Sequence, residues 1–410
     1  MKNEYDLIIV GAGPAGATCA LTLIENTDLR IAIVDKASFP RDKICGDALS
    51  GKVVSVLKYA APQAEAALHN LPPKLGSWGI RFFAPNGQCL DIPFKSSKQQ
   101  QINAPGYISK RLDFDDFLLK QIRNQPHIDI REGFAVQSVE THANGVIVSD
   151  GTEALHAPLV LGADGAHSVI TKSLSDIKVD KMHYSAGLRA YYEGVTGFQQ
   201  ENFIELHYIP ELLPGYFWIF PLPNGWANVG LGMLSADVSK LKINLKEKLR
   251  QIIEENPVIS KRFANAKLVD EVRGFGLPLG SKKRRISGDR FMLAGDAASL
   301  IDPFSGEGIG NAMLSGRIAA QTLLKCREVN DYSAAFLQQY DQAVYKKIWR
   351  ELRLSYQLQK LVNYPWLFNF VVRKANSNPS VQKMFTMMFD DLDMRKELSK
   401  PGFYWRLVVG

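Results

Sequence analysis

Cysteine is scarce: Cys19, Cys45, Cys89 and Cys326 are the only four in 410 residues, widely spaced and without a CxxC pair. Neither a disulfide framework nor a zinc or thioredoxin-like site is expected from that pattern. The seven histidines show no HxxxH or HExxH spacing, so metal ligation has no support. No run reaches eighteen uncharged apolar residues, which argues against a membrane-spanning helix. Residues 1–10, MKNEYDLIIV, hold acids and only a short apolar run, so no signal peptide is expected to start here and the cytoplasm follows as the default location. Glycine and proline, at 32 and 20 residues, show no collagen-like or low-complexity pattern, and no internal repeat appears.

What is present is an ordinary globular composition, 46% hydrophobic and 22% charged. At roughly 100 to 200 residues per domain, the length predicts two or three domains with a substantial core. The net charge of +7 is uneven: residues 331–410 carry twelve Lys/Arg against seven Asp/Glu, and fifteen of the aromatics. A basic, aromatic end suits an anionic ligand or a lipid surface, and equally a helical layer with a solvated outer face. Nucleic acid is not expected, because a pI near 9.0 is modest and no recognised module accompanies it.

The first strong signal is local. Tyr5–Val10 is a short apolar run that meets Gly11-Ala-Gly13-Pro-Ala15-Gly16, a helical pattern follows (Cys19, Ala20, Leu23, Ile24), and Leu29–Asp35 reads as a second buried strand. Strand, glycine turn, helix and strand, with an acid nineteen residues after Gly16, form a dinucleotide-binding βαβ unit. Gly11 makes the tight turn, Gly13 admits the diphosphate to the backbone, Gly16 lets helix and strand pack, and Asp35 accepts ribose hydroxyls. No second unit of this kind follows, so a dedicated nicotinamide domain is not expected.

Two later stretches read as parts of the same domain: LVLGADGAHS (159–168) and RFMLAGDAASLID (290–302), the latter running into Pro303 and Gly306-Glu-Gly308-Ile-Gly310. Between them, residues 182–235 alternate and are rich in β-formers, which predicts an antiparallel sheet. Residues 241–255 have helical periodicity (Leu245, Leu249, Ile252, Ile253), as does the stripe Leu337, Tyr340, Val344, Ile348 and Leu352.

GAGPAG with Asp35, GADGAHS around Asp164, and AGDAASLIDPFSGEGIG occur in the order of a known family. With them the chain resembles the FAD-dependent group that contains the para-hydroxybenzoate hydroxylase-like monooxygenases and the geranylgeranyl reductases. Arg111 in KRLDFDDFL is similar to that group's helix start, whose arginine meets the flavin nucleotide. FPRDKICGDAL (39–49) resembles the geranylgeranyl reductase pattern P-x-x-K-x-C-G, and YFWIFP (216–221) matches its Y-x-W-x-F-P. Where many members have Gly-Gly after the cysteine, this chain has Gly46-Asp47, which leaves the ring-side contacts open.

The resemblance implies an α/β fold: a discontinuous Rossmann-like FAD-binding domain (1–75, 103–180 and 285–330), an antiparallel-sheet substrate domain (76–102 and 181–284), and a helical C-terminal region (331–410). It implies FAD contacts from Gly11, Gly13, Ala15, Gly16, Asp35, Cys45, Gly46, Arg111, Val136, Asp164, Asp296, Gly308 and Ile309. Gly308 and Ile309 open a helix whose positive end favours the anion that develops on flavin reduction. Asp164 is also readable as a plain turn former. Tyr216, Trp218 and Phe220 are implied as substrate-pocket residues. Cys45 is the catalytic candidate, as a proton donor beside the flavin, although a lone cysteine is ordinarily inert packing. A Cys45–Cys89 pair is left open, since sequence gives no Cα separation.

The expected function is an FAD-dependent oxidoreductase that reduces carbon–carbon double bonds of an isoprenoid or related lipid. The reductant would be NAD(P)H or an electron carrier, with a redox partner protein and peripheral contact with the inner face of the membrane as further expectations. The alternative is a monooxygenase; halogenation is disfavoured, because halogenases carry W-x-W-x-I-P where this chain has Tyr216 and Phe220. A non-catalytic flavoprotein is the third reading.

Overall fold

Leu7–Val10 is buried at every position, as expected of a strand covered on both faces. In the computed structural model, which describes residues 3–24, 29–94, 103–379 and 381–382, it lies inside a six-stranded sheet. The order is Ser287–Gly288, Phe291–Leu293, Val160–Gly162, Leu7–Val10, Ile31–Asp35, Ile128–Glu132. All neighbours are parallel except the first pair, which is a short antiparallel hairpin. The strands thus come from three separate stretches of chain. The helices Pro14–Ile24 and Ile309–Val329 pack closely against each other: a Cβ on Gly316 would fall 2.0 Å from the Ala15 carbonyl oxygen. A meander of three antiparallel strands, Ser138–His142, Gly145–Ser149 and Ala154–Ala157, was not legible in the sequence.

The second sheet has eight strands. Tyr184–Glu193, Trp226–Leu234, Tyr216–Pro221 and Ile204–His207 follow one another antiparallel, close to the predicted strands. Two departures matter. Arg273–Pro278 pairs with Tyr184–Glu193, although its two glycines gave no strand signal. Ile204–His207 pairs in parallel with Gly79–Phe83, so the sheet is not wholly antiparallel. The hairpin of Gly79–Phe83 and Cys89–Pro93 enters from more than a hundred residues upstream, and so long a connection places no demand on strand direction.

Each face of this sheet has its own core. Phe217, Ile219, Val229 and Leu231 pack on the helices Leu245–Glu255 and Ile259–Arg262, where Asn244 caps the first helix through Lys246 and Glu247 amides. The opposite face carries Phe82, Leu206, Tyr208 and Trp218 and meets Phe368 and Val372 of the helix Pro365–Ser377. The predicted stripe Leu337, Tyr340, Val344, Ile348 and Leu352 is wholly buried along the helix Ala334–Val362. That helix is locked by charge as well: Lys52, fully buried, places Nζ 3.0 Å from both carboxylate oxygens of Glu351 and 2.6 Å from Asn311 Oδ1. The part of the predicted helical region at 383–410 lies outside the described residues.

Truncating one member of a buried ion pair leaves the other charge stranded, at a cost of about 3–5 kcal/mol. Lys52→Met is therefore expected to lose stability on that scale in urea unfolding. The double variant Lys52→Met, Glu351→Leu should recover most of it; equal losses in single and double variants would contradict this account.

Candidate active site

The two sheets meet at a cavity of about 440 Å³ whose lining draws on both. On one side stands the glycine turn. Gly11 has φ +104°, and a Cβ there would fall 2.3 Å from the Ala163 carbonyl oxygen, so only glycine fits between the two parallel strands. Asp35 holds the turn, accepting from the amides of Ala12 and Ala37 at 2.9 Å each. A Cβ on Gly13 would point toward the guanidinium groups of Arg41 and Arg111, at 3.6 and 3.9 Å. Both arginines are clamped by Asp115: Arg111 makes two 2.6 Å hydrogen bonds to it, and Arg41 one of 2.8 Å. A glycine cradle faced by two fixed cations is suited to a diphosphate.

At the far end, Asp296, Gly308 and Ile309 border the cavity, with Ile309 opening a helix of 21 residues. Asp302 shapes the approach by accepting from the amides of Phe304 and Ser305. Asp164 accepts from the Val169 amide at 2.6 Å, which fits a turn former, yet its Oδ1 is buried and meets no partner among the described residues. Burial pushes its carboxyl up. Val136 lies on the same wall, and Gly16 lies behind it, its missing Cβ position 2.0 Å from the Gly11 carbonyl oxygen.

The aromatic strand supplies the other wall. Alternation sends Phe217 and Ile219 to the far core and Tyr216, Trp218 and Phe220 into the cavity. Opposite these three on the next strand stand Gly232, Gly230 and Asn228. The ring of Trp218 lies where a Gly230 side chain would be: a Cβ there would come within 2.3 Å of Trp218 Cζ2. Tyr216 donates to the Ser305 carbonyl at 2.7 Å, tying this wall to the glycine-rich loop.

The loop 39–49 closes the space between the walls. Asp47 stands there at φ +66°, a left-handed conformation that also suits the glycine found here in the pattern the chain resembles. Its side chain is fully buried and accepts from Tyr191 Oη at 2.7 Å, Asn228 Nδ2 at 2.8 Å and the Arg111 amide at 3.2 Å. Burial raises its carboxyl to about 6 against the hydrogen bonds that favour the anion. Asn228 also donates to the Cys45 carbonyl at 2.7 Å and accepts from Trp218 Nε1 at 2.9 Å. The Cys45 thiol borders the cavity, and burial pushes it up, with Arg111 opposing, so it is protonated at neutral pH. Lys43 sits 3.7 Å from the Phe275 ring centre and 3.8 Å from Asp296; burial lowers its ammonium.

All the residues singled out from the sequence border this one cavity except Gly16. All four cysteines are free, and Cys89 lies exposed on an edge strand, so the Cys45–Cys89 pair left open above is not made. No three-residue cluster fit to hold a metal ion occurs among the described residues. Sequence reasoning passed over Asn228, Tyr191 and Arg189. A charged residue inside the apolar run 188–192 and an asparagine at an alternate position of WANVGL were the available signals.

A family model described as an FAD binding domain matches residues 4–350. The chain belongs to that family. Among curated relatives it is 30% identical to the digeranylgeranylglycerophospholipid reductase of Methanosarcina acetivorans, over 86% of this chain and 82% of that one. It is likewise 30% identical to the menaquinone reductase of Mycolicibacterium smegmatis, over 82% of this chain and 80% of that one. In fold it matches a geranylgeranyl bacteriochlorophyll reductase-like protein from Thermoplasma acidophilum (TM-score 0.77, 21% identity, covering 97% of this chain and 98% of that one). A flavin-dependent brominase matches at TM-score 0.75 with 20% identity, covering 94% of this chain and 93% of that one. The protein is thus an FAD-dependent oxidoreductase resembling the geranylgeranyl reductases. The cradle at Gly11 and Gly13, the arginine pair and the unpartnered Asp164 oxygen are features that fit the cofactor.

A carboxyl raised in the folded state binds its proton more tightly there than in the unfolded chain. Its contribution is present below the ordinary carboxylate range and is lost as pH rises through about 6. Unfolding free energy of the native protein minus that of Asp47→Asn should fall by about 3 kcal/mol between pH 3 and pH 7 and stay level above. A flat difference would show that Asp47 is not the titrating group.

Proposed function

We propose that the protein saturates carbon–carbon double bonds of an isoprenoid or related lipid, using FAD as the hydride donor. The observation that carries this reading is that the aromatic wall Tyr216, Trp218 and Phe220 shares one largely apolar cavity with the glycine cradle. The two reductases named above add support, since their names join reduction to a geranylgeranyl lipid and to menaquinone.

In this reading Gly11, Gly13, Ala15 and Gly16 receive the diphosphate, and Asp35 takes the ribose hydroxyls. Arg111 and Val136 flank the nucleotide, and Asp164 offers its free oxygen to it. Asp296 holds the ribityl chain, while Gly308 and Ile309 present amides to the pyrimidine side of the ring. Cys45 and Gly46 lie at the ring, and the neutral thiol holds a proton at Sγ beside the substrate. The aromatic wall excludes water from the lipid chain. Reducing equivalents arrive from NAD(P)H or from a protein electron carrier.

Access to a lipid in a bilayer is supported by the last described helix. Trp366 and Phe370 are exposed at 71% and 44%, four residues apart, with Arg373 and Lys374 one turn on. No described helix is long and apolar enough to cross a membrane, so this would be peripheral contact. Replacing both aromatics by serine is expected to reduce co-sedimentation with anionic vesicles several-fold without changing flavin content; unchanged sedimentation would remove this surface from the reading.

The function is tested with chemically reduced holoenzyme under strict anaerobiosis. Mass spectrometry should show the lipid gaining two hydrogens for each flavin reoxidised. A flavin that stays reduced until air is admitted, followed by an oxygenated product, would establish the monooxygenase alternative instead.

A further inference from the structure

Arg189 has the strongest unmet demand in the cavity. It stands in the middle of Tyr184–Glu193, fully buried, and borders the cavity. Its register partners across the sheet are Gly230 and then Trp218, so it lies on the same face as the aromatic wall, two strands away. Its Nη2 donates to Asp42, and the guanidinium carbon lies 4.0 Å from the centre of the Tyr191 ring. Its Nε and Nη1 are buried and meet no hydrogen-bond partner among the described residues.

A guanidinium is always charged, and each buried donor left without an acceptor has given up its hydration with nothing in return. The protein keeps this group rigid, stacked on Tyr191 and braced by Asp42, so the two donors cannot swing away to water. Elsewhere on that wall, Leu188, Leu206, Trp218 and Phe220 offer little for them to meet.

We propose that Arg189 receives an oxygen atom at the polar end of the lipid substrate. The proposal rests on the lipid-reductase reading above and deepens it: the cavity selects an isoprenoid that carries a hydrogen-bond acceptor, with the apolar chain running along the aromatic wall. The acceptor is either a neutral carbonyl oxygen, as on a quinone ring, or a phosphate oxygen. Asp42 already offsets the charge of Arg189, which favours the neutral carbonyl.

The test is equilibrium binding to oxidised holoenzyme, read by quenching of tryptophan and flavin fluorescence, with no turnover required. Three probes are used: a menaquinone, geranylgeranyl diphosphate and the hydrocarbon squalene. Arg189→Met should weaken one or both oxygen-bearing probes about ten- to hundredfold while leaving squalene within about twofold. Arg189→Lys, which keeps the charge but not the planar donors, should recover only part of the loss and serves as the check that the fold survives. A larger loss for menaquinone assigns the carbonyl; a larger loss for the diphosphate assigns the phosphate. Equal weakening of all three probes, or loss of FAD with unchanged lipid discrimination, would overturn the proposal. Because binding is read without reduction, an Arg189-dependent preference in an enzyme that reduces none of these lipids would sink the reductase reading and leave this one standing.

Discussion

The carboxylate of Asp47 is a buried point at which the two halves of the molecule are joined. It is buried, held in a left-handed backbone conformation, and bonded on one side to the amide that begins the helix Arg111–Lys120 and on the other to Tyr191 and Asn228 of the large sheet. A backbone strain of about 1–3 kcal/mol persists only when the surroundings over-determine it. Here the surroundings are three hydrogen bonds that a glycine at the same place could not make. The same asparagine then fixes the Cys45 carbonyl and the Trp218 ring, so the thiol, the aromatic wall and the nucleotide cradle share one support.

That support explains how a cavity can be apolar on one wall and strongly polar on the other without collapsing. Alternation along Tyr216–Pro221 separates two sets of side chains: one set completes a core with Leu249 and Ile252, and the other is left facing the cavity. Glycine at 230 makes room for the Trp218 ring that the facing strand presents. The arginines near Gly13 are prevented from intruding by Asp115, which holds both.

Much of this was legible in the sequence because it depends on local rules. The βαβ unit is written in contiguous residues, from the apolar run to Asp35, and the helix stripe from Leu337 to Leu352 needs only a period. What was not legible depends on pairings between distant segments. Nothing local says that Gly79–Phe83 lies parallel to Ile204–His207, or that Arg273–Pro278 joins the sheet despite two glycines. Asp47 was visible only as a departure from Gly-Gly; its meaning required Tyr191 and Asn228, 144 and 181 residues away. Arg189 was hidden for the same reason, since a charge within an apolar strand has no reading until its neighbours across the sheet are known.

The polar chain from Asp42 to Trp218 also links the ionisation of Asp47 to whatever approaches Arg189. Arg189 favours the Asp47 anion, whereas Asp42 disfavours it. A neutral oxygen on Arg189 leaves that balance unchanged, and Asp47 remains ionised near neutral pH with its hydrogen bonds to Tyr191 and Asn228 intact. A phosphate would add negative charge beside a buried carboxylate already displaced upward by burial, driving it further toward protonation. The protonated form no longer accepts hydrogen bonds equally on both oxygens, so the support of the Cys45 loop would loosen. If Arg189 receives the ligand as proposed, an uncharged acceptor is thus the polar end that leaves this support undisturbed.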